Sequence, residues 1–308
     1  MATDFSLRTY GDVSRKEDVV LNAVEILTAR ETQIMNLLRK TVAIDTVHSF
    51  LVDTLRTPSS AAVEQAADYT ARDLSTPTRL TNIVEKIVIP FKVAKTQEYV
   101  QHYHGENELS RQTRKALMDW ANAAEFDLVR STLVSGASGT TPKMSGLIEA
   151  TSKSTNHTSH NSGTVWSATI LDGLMKGNWD NSNGDVATDL FMGSFLRSQT
   201  DLFAQKTNVV VNTPNGMASI VRTVSSFQTS FGTVMIHTHR YIQQSGDATG
   251  RVLALRPEKL AIAYLNRPFI DTGLARSGAY DFRAVDAELT LEVNNQDSNW
   301  YADGFDID

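Results

Sequence analysis

The 308-residue chain has no cysteine. That excludes a disulfide framework, a thiolate-bound zinc or iron–sulfur centre and a cysteine nucleophile. It is silent on compartment, because a thiol-free chain suits reducing and oxidising surroundings equally. Positive charge is not in excess either: 29 Lys and Arg stand against 35 Asp and Glu, a net charge of −6 with a pI of about 5.7. Modules that read DNA sequence usually lie above a pI of about 9, so specific DNA readout is not expected. No stretch reaches the ~18 consecutive apolar residues that a membrane-crossing helix needs. The opening residues, MATDFSLRTYGD, carry no basic segment followed by an apolar one, so no secretion signal is expected. Internal repeats are also missing. What the chain does have is 41% hydrophobic and 8% aromatic residues, enough for a sizeable core and too many for global disorder. At about 150 residues per domain, the length suggests two domains or one elongated chain of several lobes.

Hydrophobic spacing divides the chain. Val20, Ala23, Val24 and Leu27, then Ile34, Leu37, Leu38 and Thr41, recur at helical intervals over 14–41. Between them Thr28-Ala29-Arg30-Glu31 reads as a capping box that opens a second short helix. Residues 47–55 and 83–96 read as strands. The polar, proline-punctuated span from Arg56 to Thr81 between them is longer than a compact domain favours, and predicts a projecting hairpin that reaches toward a partner. Residues 107–135 predict a long helix with Leu109, Leu117, Trp120, Ala124 and Leu128 on its apolar stripe. Arg111, Arg114, Lys115, Asp119, Glu125 and Asp127 fall on the remainder, and Gly136 reads as a left-handed cap. Ala137 to Gly163 reads as loop. Helices at 168–176 and 195–205 then alternate with strands at 189–192, 209–211, 231–237 and 252–255, a small α/β lobe. Over 284–294, Ala287, Leu289, Leu291 and Val293 alternate with Asp286, Glu288, Thr290 and Glu292, which predicts a strand with one buried face.

Groups that could carry chemistry are sparse. His237 and His239 would share a strand face and could ligate a metal, but no third ligand lies nearby and His102 and His104 are another bare pair. An exposed polar strand face is the plainer reading. His157 and His160 fall in loop sequence and read as solvated. Asp180-Asn181-Ser182-Asn183-Gly184-Asp185 resembles the start of a calcium loop, yet its glycine stands fifth and Leu190 occupies the position that wants Glu. An Asn-Gly turn accounts for it. Gly273 and Gly278 are spaced as in a phosphate loop, but Ala279 and Tyr280 follow where Lys and Ser or Thr belong. Neither G-x-S-x-G nor G-x-G-x-x-G occurs. Asn156-His157-Thr158 matches a glycosylation sequon, which matters only in a secreted eukaryotic chain. No catalytic residue, cofactor or metal is expected, and the chain does not read as an enzyme.

Several short segments occur in an informative order. Thr28-Ala29-Arg30-Glu31-Thr32 leads to Phe50-Leu51-Val52-Asp53, and Thr78-Arg79-Leu80-Thr81-Asn82 is followed by Thr96-Gln97. Gly146-Leu147-Ile148 comes after the long helix; Leu265-Asn266-Arg267-Pro268-Phe269, Gly273 and Glu288-Leu289-Thr290-Leu291-Glu292-Val293 close the chain. In this order they resemble the major capsid protein of tailed bacteriophages, whose fold is shared with herpesvirus capsid floors and encapsulins. Ala29 and Gln33 replace prolines usual in that family's arm.

The resemblance implies an α+β fold in four parts rather than two. These are an N-terminal arm (1–46), an extended β-hairpin loop (47–97), a peripheral domain (98–140 and 270–308) with the long helix as spine, and an axial α/β domain (141–269). It implies a structural role: self-assembly as hexamers and pentamers into an icosahedral head around double-stranded DNA. The implied partners are further copies of the chain, scaffolding and decoration proteins, a portal at one vertex and DNA bound without sequence preference, with no membrane. Assembly would take place in the host bacterial cytoplasm. Arg56, Arg72 and Arg79, with Glu64 and Asp68, are the expected intersubunit contacts. Some relatives lock their shells by an isopeptide bond from a loop lysine; here no lysine lies between Lys40 and Lys86, and guanidinium is no nucleophile, so a non-covalent shell is expected. The alternatives are an encapsulin-like compartment shell and a metal-dependent enzyme built on His237 and His239.

Overall fold

The computed structural model describes residues 32–55, 59–65, 68, 75–99, 107–137, 139–182, 184–205, 225–244, 246–275 and 278–307. The elements run α1 (Gln33–Leu37), β1 (Arg39–Val42), β2 (Val47–Val52), β3 (Thr78–Ile83), β4 (Glu85–Ala94), α2 (Lys95–Tyr99) and α3 (Glu108–Arg130). They continue with α4 (Leu147–Ser152), β5 (Thr158–Thr164), α5 (Ala168–Asn181), β6 (Asp189–Met192), α6 (Ser194–Gln205), β7 (Ser226–Thr229) and β8 (Gly232–Thr238). The last are β9 (Gly250–Leu255), β10 (Leu260–Asp271), β11 (Tyr280–Val293) and β12 (Trp300–Phe305).

A four-stranded sheet in the order β1-β10-β11-β4 packs against α3. The alternation in β11 does what its sequence predicts: Ala287, Leu289, Leu291 and Val293 all enter the core beside Trp120, Ala124 and Leu128 of α3. A six-stranded sheet, β5-β12-β9-β6-β8-β7, is covered on both faces, so its central strands bury consecutive apolar residues such as Val252, Leu253, Ala254 and Leu255. Phe191, Leu253, Leu255 and Tyr301 point into the core shared with α3. Their neighbours Leu190, Met192, Val252, Ala254, Trp300 and Ala302 point into a second core with Leu171 and Met175 of α5 and Leu196 of α6. Burying one such side chain contributes about 1.5–3 kcal/mol, so this two-sided sheet welds the lobes together. Strands β2 and β3 form a separate antiparallel hairpin, Val47 opposite Ile83 and Val52 opposite Thr78.

The structure corrects the periodicity at several points. The predicted helix over 14–41 stops at Leu37, because Arg39–Val42 pairs in parallel with Ala261–Tyr264 and a long-range ladder outweighs local spacing; the Thr28–Glu31 box lies outside the described residues. The run 83–96 is two strands: β3 closes the hairpin, and after Val84 β4 joins β11 in the large sheet. Helix α3 ends at Arg130, about 35 Å from its start, where Ser131 turns extended. The chain then folds back through a Val134–Lys143 bridge that carries Gly136 away from any cap position. Leu117 is 39% exposed, while Glu125 is completely buried, the reverse of their predicted sides. The supposed loop 137–163 holds α4 and β5. The predicted strand 209–211 lies outside the described residues.

Candidate functional site

Among the described residues, none of the sequence's candidate chemical groups converges. His237 and His239 meet the Phe191 ring in different ways, His237 stacked on it at 4.9 Å and His239 edge-on at 6.2 Å. His237 faces Asp189 at 3.0 Å, whereas His239 is buried against Glu125, so they do not share a strand face. His157 and His160 are not solvated loop residues: they stack on Tyr301 and Phe305 of β12. Asp185 is held by Lys259 at 3.1 Å and Arg256 at 3.5 Å, and Gly184 makes the expected left-handed turn at φ 85°. Asn156 of the sequon is buried and donates to the Asp297 carbonyl at 2.6 Å. His102 and His104 lie outside the described residues. Among the described residues no three His, Asp or Glu side chains gather as a metal site would need.

What the fold does present is surface. The β2–β3 hairpin has only two strands and leaves part of its apolar surface outward: Leu51 is 68% exposed, and Leu55 and Val63 beyond it are 100% and 67% exposed, while Phe50, Val52, Leu80 and Ile83 are half-buried. An outward apolar group of this kind marks an interaction surface rather than an isolated fold. Two clefts border the hairpin. One of about 490 Å³ lies between Leu51, Asp53 and Leu80 and the Asn294–Asp297 turn, and one of about 410 Å³ lies between Val47, Ile83, Pro142 and Leu265. Arg79 crosses the hairpin to donate to Ser49 Oγ at 2.7 Å, and Glu64 and Asp68 are exposed on its far excursion. Arg56 and Arg72 lie outside the described residues.

The base of the hairpin is anchored by hydrogen bonds rather than apolar mass. Asn82 donates to the Leu291 carbonyl at 2.8 Å and accepts from the Ser145 N–H at 2.9 Å, while His48 sits 3.4 Å from Glu292. Immediately after the hairpin, Glu85 accepts from Ser131 Oγ at 3.1 Å and from the Met144 N–H at 3.2 Å. Burial pushes its carboxyl up, with those two bonds and Lys143 opposing. Asp127 on α3 shares this site, and burial, reinforced by the Glu85 charge and opposed by Lys143, raises its carboxyl from the ordinary 3.8 to about 6.

The folded state therefore holds its proton on Asp127 to higher pH than the unfolded chain does. This contribution to stability is fully present below about pH 4 and is lost as pH rises through about 6. Asp127→Asn should accordingly stabilise the protein at pH 7 by about 1–2 kcal/mol, after allowance for solvent screening of a partly exposed group, and change little at pH 4. Thermal melts of both proteins at the two pH values check this; an equal gain at both would show that ionisation is not the cause.

A mixed α/β subunit with an outward apolar hairpin and a parallel edge strand, β1, has the architecture of a capsid-shell protein. More particularly, the chain belongs to the SU10 major capsid protein family, whose model matches residues 3–303. No curated protein sequence matches it. Solved structures agree in fold. The capsid of a native GTA particle is similar with a TM-score of 0.68 at 10% identity, covering 97% of this chain and 100% of that one. The capsid of Myoviridae phage XM1 gives 0.64 at 12%, covering 98% and 100%. The holo-SrpI encapsulin complex from Synechococcus elongatus PCC 7942 gives 0.61 at 12%, covering 98% and 97%. The protein is a structural component of a capsid shell, as the sequence resemblance implies.

Proposed function

We propose that the chain assembles as hexamers and pentamers into the icosahedral head of a tailed phage, around double-stranded DNA, in the host bacterial cytoplasm, and that it performs no catalysis. In this reading residues 1–46 are the arm, 47–97 the extended loop, 98–140 and 270–308 the peripheral domain, and 141–269 the axial domain. Scaffolding and decoration proteins and a portal complete the partners, and Arg56, Arg72 and Arg79 meet acidic groups such as Glu64 and Asp68 of neighbours. The observation that carries it is the exposed apolar group of Leu51 on the hairpin with Leu55 and Val63 beyond it, a surface that a neighbouring copy would cover. The net charge of −6 also suits a wall that must not adhere to packaged DNA.

A non-covalent shell is part of the proposal. Lys86, the first lysine after the hairpin, holds Asp286 at 2.8 Å and Glu288 at 3.6 Å, and the Asp286 hydrogen bond pushes its ammonium pKa up. Lys92 lies over the Tyr280 ring, 5.7 Å from its centroid. Lys86, held by two carboxylates, is not poised as a nucleophile. Purified particles viewed in negative stain should be closed shells, and boiled in denaturant they should run as one band near 33.9 kDa. A ladder of dimers to hexamers would refute the non-covalent wall, and protein that stays monomeric at high concentration would refute assembly. The encapsulin likeness supports a second reading, a compartment shell; particles filled with a co-purifying enzyme instead of double-stranded DNA would favour it.

A further inference from the structure

A buried carboxylate is costly unless hydrogen bonds satisfy it, so the partners of Glu125 are informative. Its Oε1 accepts the Ile34 N–H at 2.7 Å and faces His239 Nε2 at 3.0 Å, and its Oε2 accepts the Met35 N–H at 2.8 Å. Those amides form the first turn of α1, where Thr32 supplies no side-chain cap. Glu125 therefore caps α1 from a different helix, more than ninety residues along the chain. His239 is also fully buried, and its Nδ1 accepts the Tyr241 N–H at 3.3 Å. That leaves Nε2 as the protonated nitrogen that donates to Glu125. Helix α3 grips the loop following β8 a second time: Arg130 reaches both Asp247 oxygens, at 3.0 and 3.2 Å. Phe126 meets the Tyr241 ring edge-on at 5.6 Å.

We propose that Glu125 and His239 form a latch through which the docking of α1 and the seating of His239, Tyr241 and Asp247 after β8 stabilise each other. The reason is saturation of one buried charge. With α1 undocked, the carboxylate loses two backbone donors and keeps His239. With His239 removed, it keeps the two amides in a site closed to water. Either loss leaves part of the charge unpaired, so the coupling is positive and reciprocal. The significance for assembly rests on the arm reading above: a latch of this kind reports arm position to the lobe that carries β8 and β9.

The test is hydrogen exchange on the soluble full-length protein, in whatever assembly state it adopts. Glu125→Gln keeps the shape but offers one acceptor oxygen in place of two. It should speed exchange about 10- to 100-fold both in 33–37 and at His239, Tyr241 and Asp247, with β11 unchanged. His239→Ala removes no donor or acceptor of α1 itself, yet should speed exchange at Ile34 and Met35 about tenfold, and His239→Gln, whose amide can donate to Glu125, should recover part of the protection. Exchange in α1 that ignores His239→Ala overturns the latch. Should Glu125→Gln fail to fold, the two His239 variants decide the matter. Failure of the wild type to form shells would count against the capsid reading alone, since every group in the latch belongs to one chain.

Discussion

Trp120→Ala is expected to destabilise the subunit by about 3–5 kcal/mol and to shift expression into the insoluble fraction. Total stability of most domains is only about 5–15 kcal/mol, so this is a large share. Trp120 is buried at the centre of α3, in the core that joins Ile34 and Met35 of α1 to Leu289 and Leu291 of β11. Its removal opens a cavity where three elements meet. One term works the other way: the indole N–H is buried without a partner among the described residues, a cost of about 1–3 kcal/mol that the truncation removes. The net effect should therefore lie toward the lower end of the range. Trp120→Phe separates the two terms, because it deletes the N–H and keeps most of the ring; it should stay within about 1 kcal/mol of wild type. Denaturant unfolding of all three proteins measures this, and an alanine variant no weaker than the phenylalanine one would show that cavity formation is not what Trp120 prevents.

That Trp120 faces inward was legible from spacing, and so were α5, α6, β6 and the buried face of β11, since each is decided by residues within a few positions. The hairpin was legible from a lack, the absence of any compact turn signal between Leu55 and Thr78. Its second strand was not. The apolar run IVEKIVIPFKVA gives no hint that the chain changes sheets at Val84, because Asn82 and Lys86 look alike to a pattern that knows nothing of their partners. The family resemblance implies that Thr78–Asn82 and Thr96-Gln97 both lie on the returning strand; the first does, on β3, whereas the second lies on α2. Residues 39–42 failed for the same reason: Arg-Lys-Thr-Val has mixed propensity, and the edge of β10 decides it.

The candidate site shows the same division. Glu125 reads as a solvated residue on a helix rich in charge, with Asp119 and Asp127 nearby. Only the approach of α1 and of the turn after β8 converts it into a buried cap, and both partners are distant in sequence. The histidine pair misled in the opposite direction. His237 and His239 are adjacent in the pattern, but β8 ends at Thr238, so the strand periodicity that would align them stops between the two. Their partners, Asp189 and Glu125, come from β6 and α3, and nothing in the local sequence names them.

Gly304→Ala is expected to cost about 3 kcal/mol or more, for a methyl group added at a position the sequence gives no reason to notice. Gly304 sits at φ 87°, where the pairing of β12 with β5 slips between Asp303 and Phe305. A β carbon there would lie 1.9 Å from the His160 carbonyl oxygen and 2.6 Å from its carbon. Both are backbone atoms, so no rotamer change relieves the contact. Either β5 leaves β12 or the bulge flattens, and with it go the Asp306 N–H bond to the Thr164 carbonyl at 2.9 Å and the His160 contact with the Phe305 ring at 4.8 Å. Left-handed geometry alone accounts for only about 1–2 kcal/mol of the loss. Gly163→Ala is the control, since Gly163 also has a positive φ, 95°, but a β carbon there meets nothing within 4 Å. Thermal unfolding should rank Gly304→Ala well below Gly163→Ala, with faster hydrogen exchange in 158–164 for the former. If the two variants melt alike, the collision with β5 is relieved by a movement that the packing of His160 on Phe305 argues against.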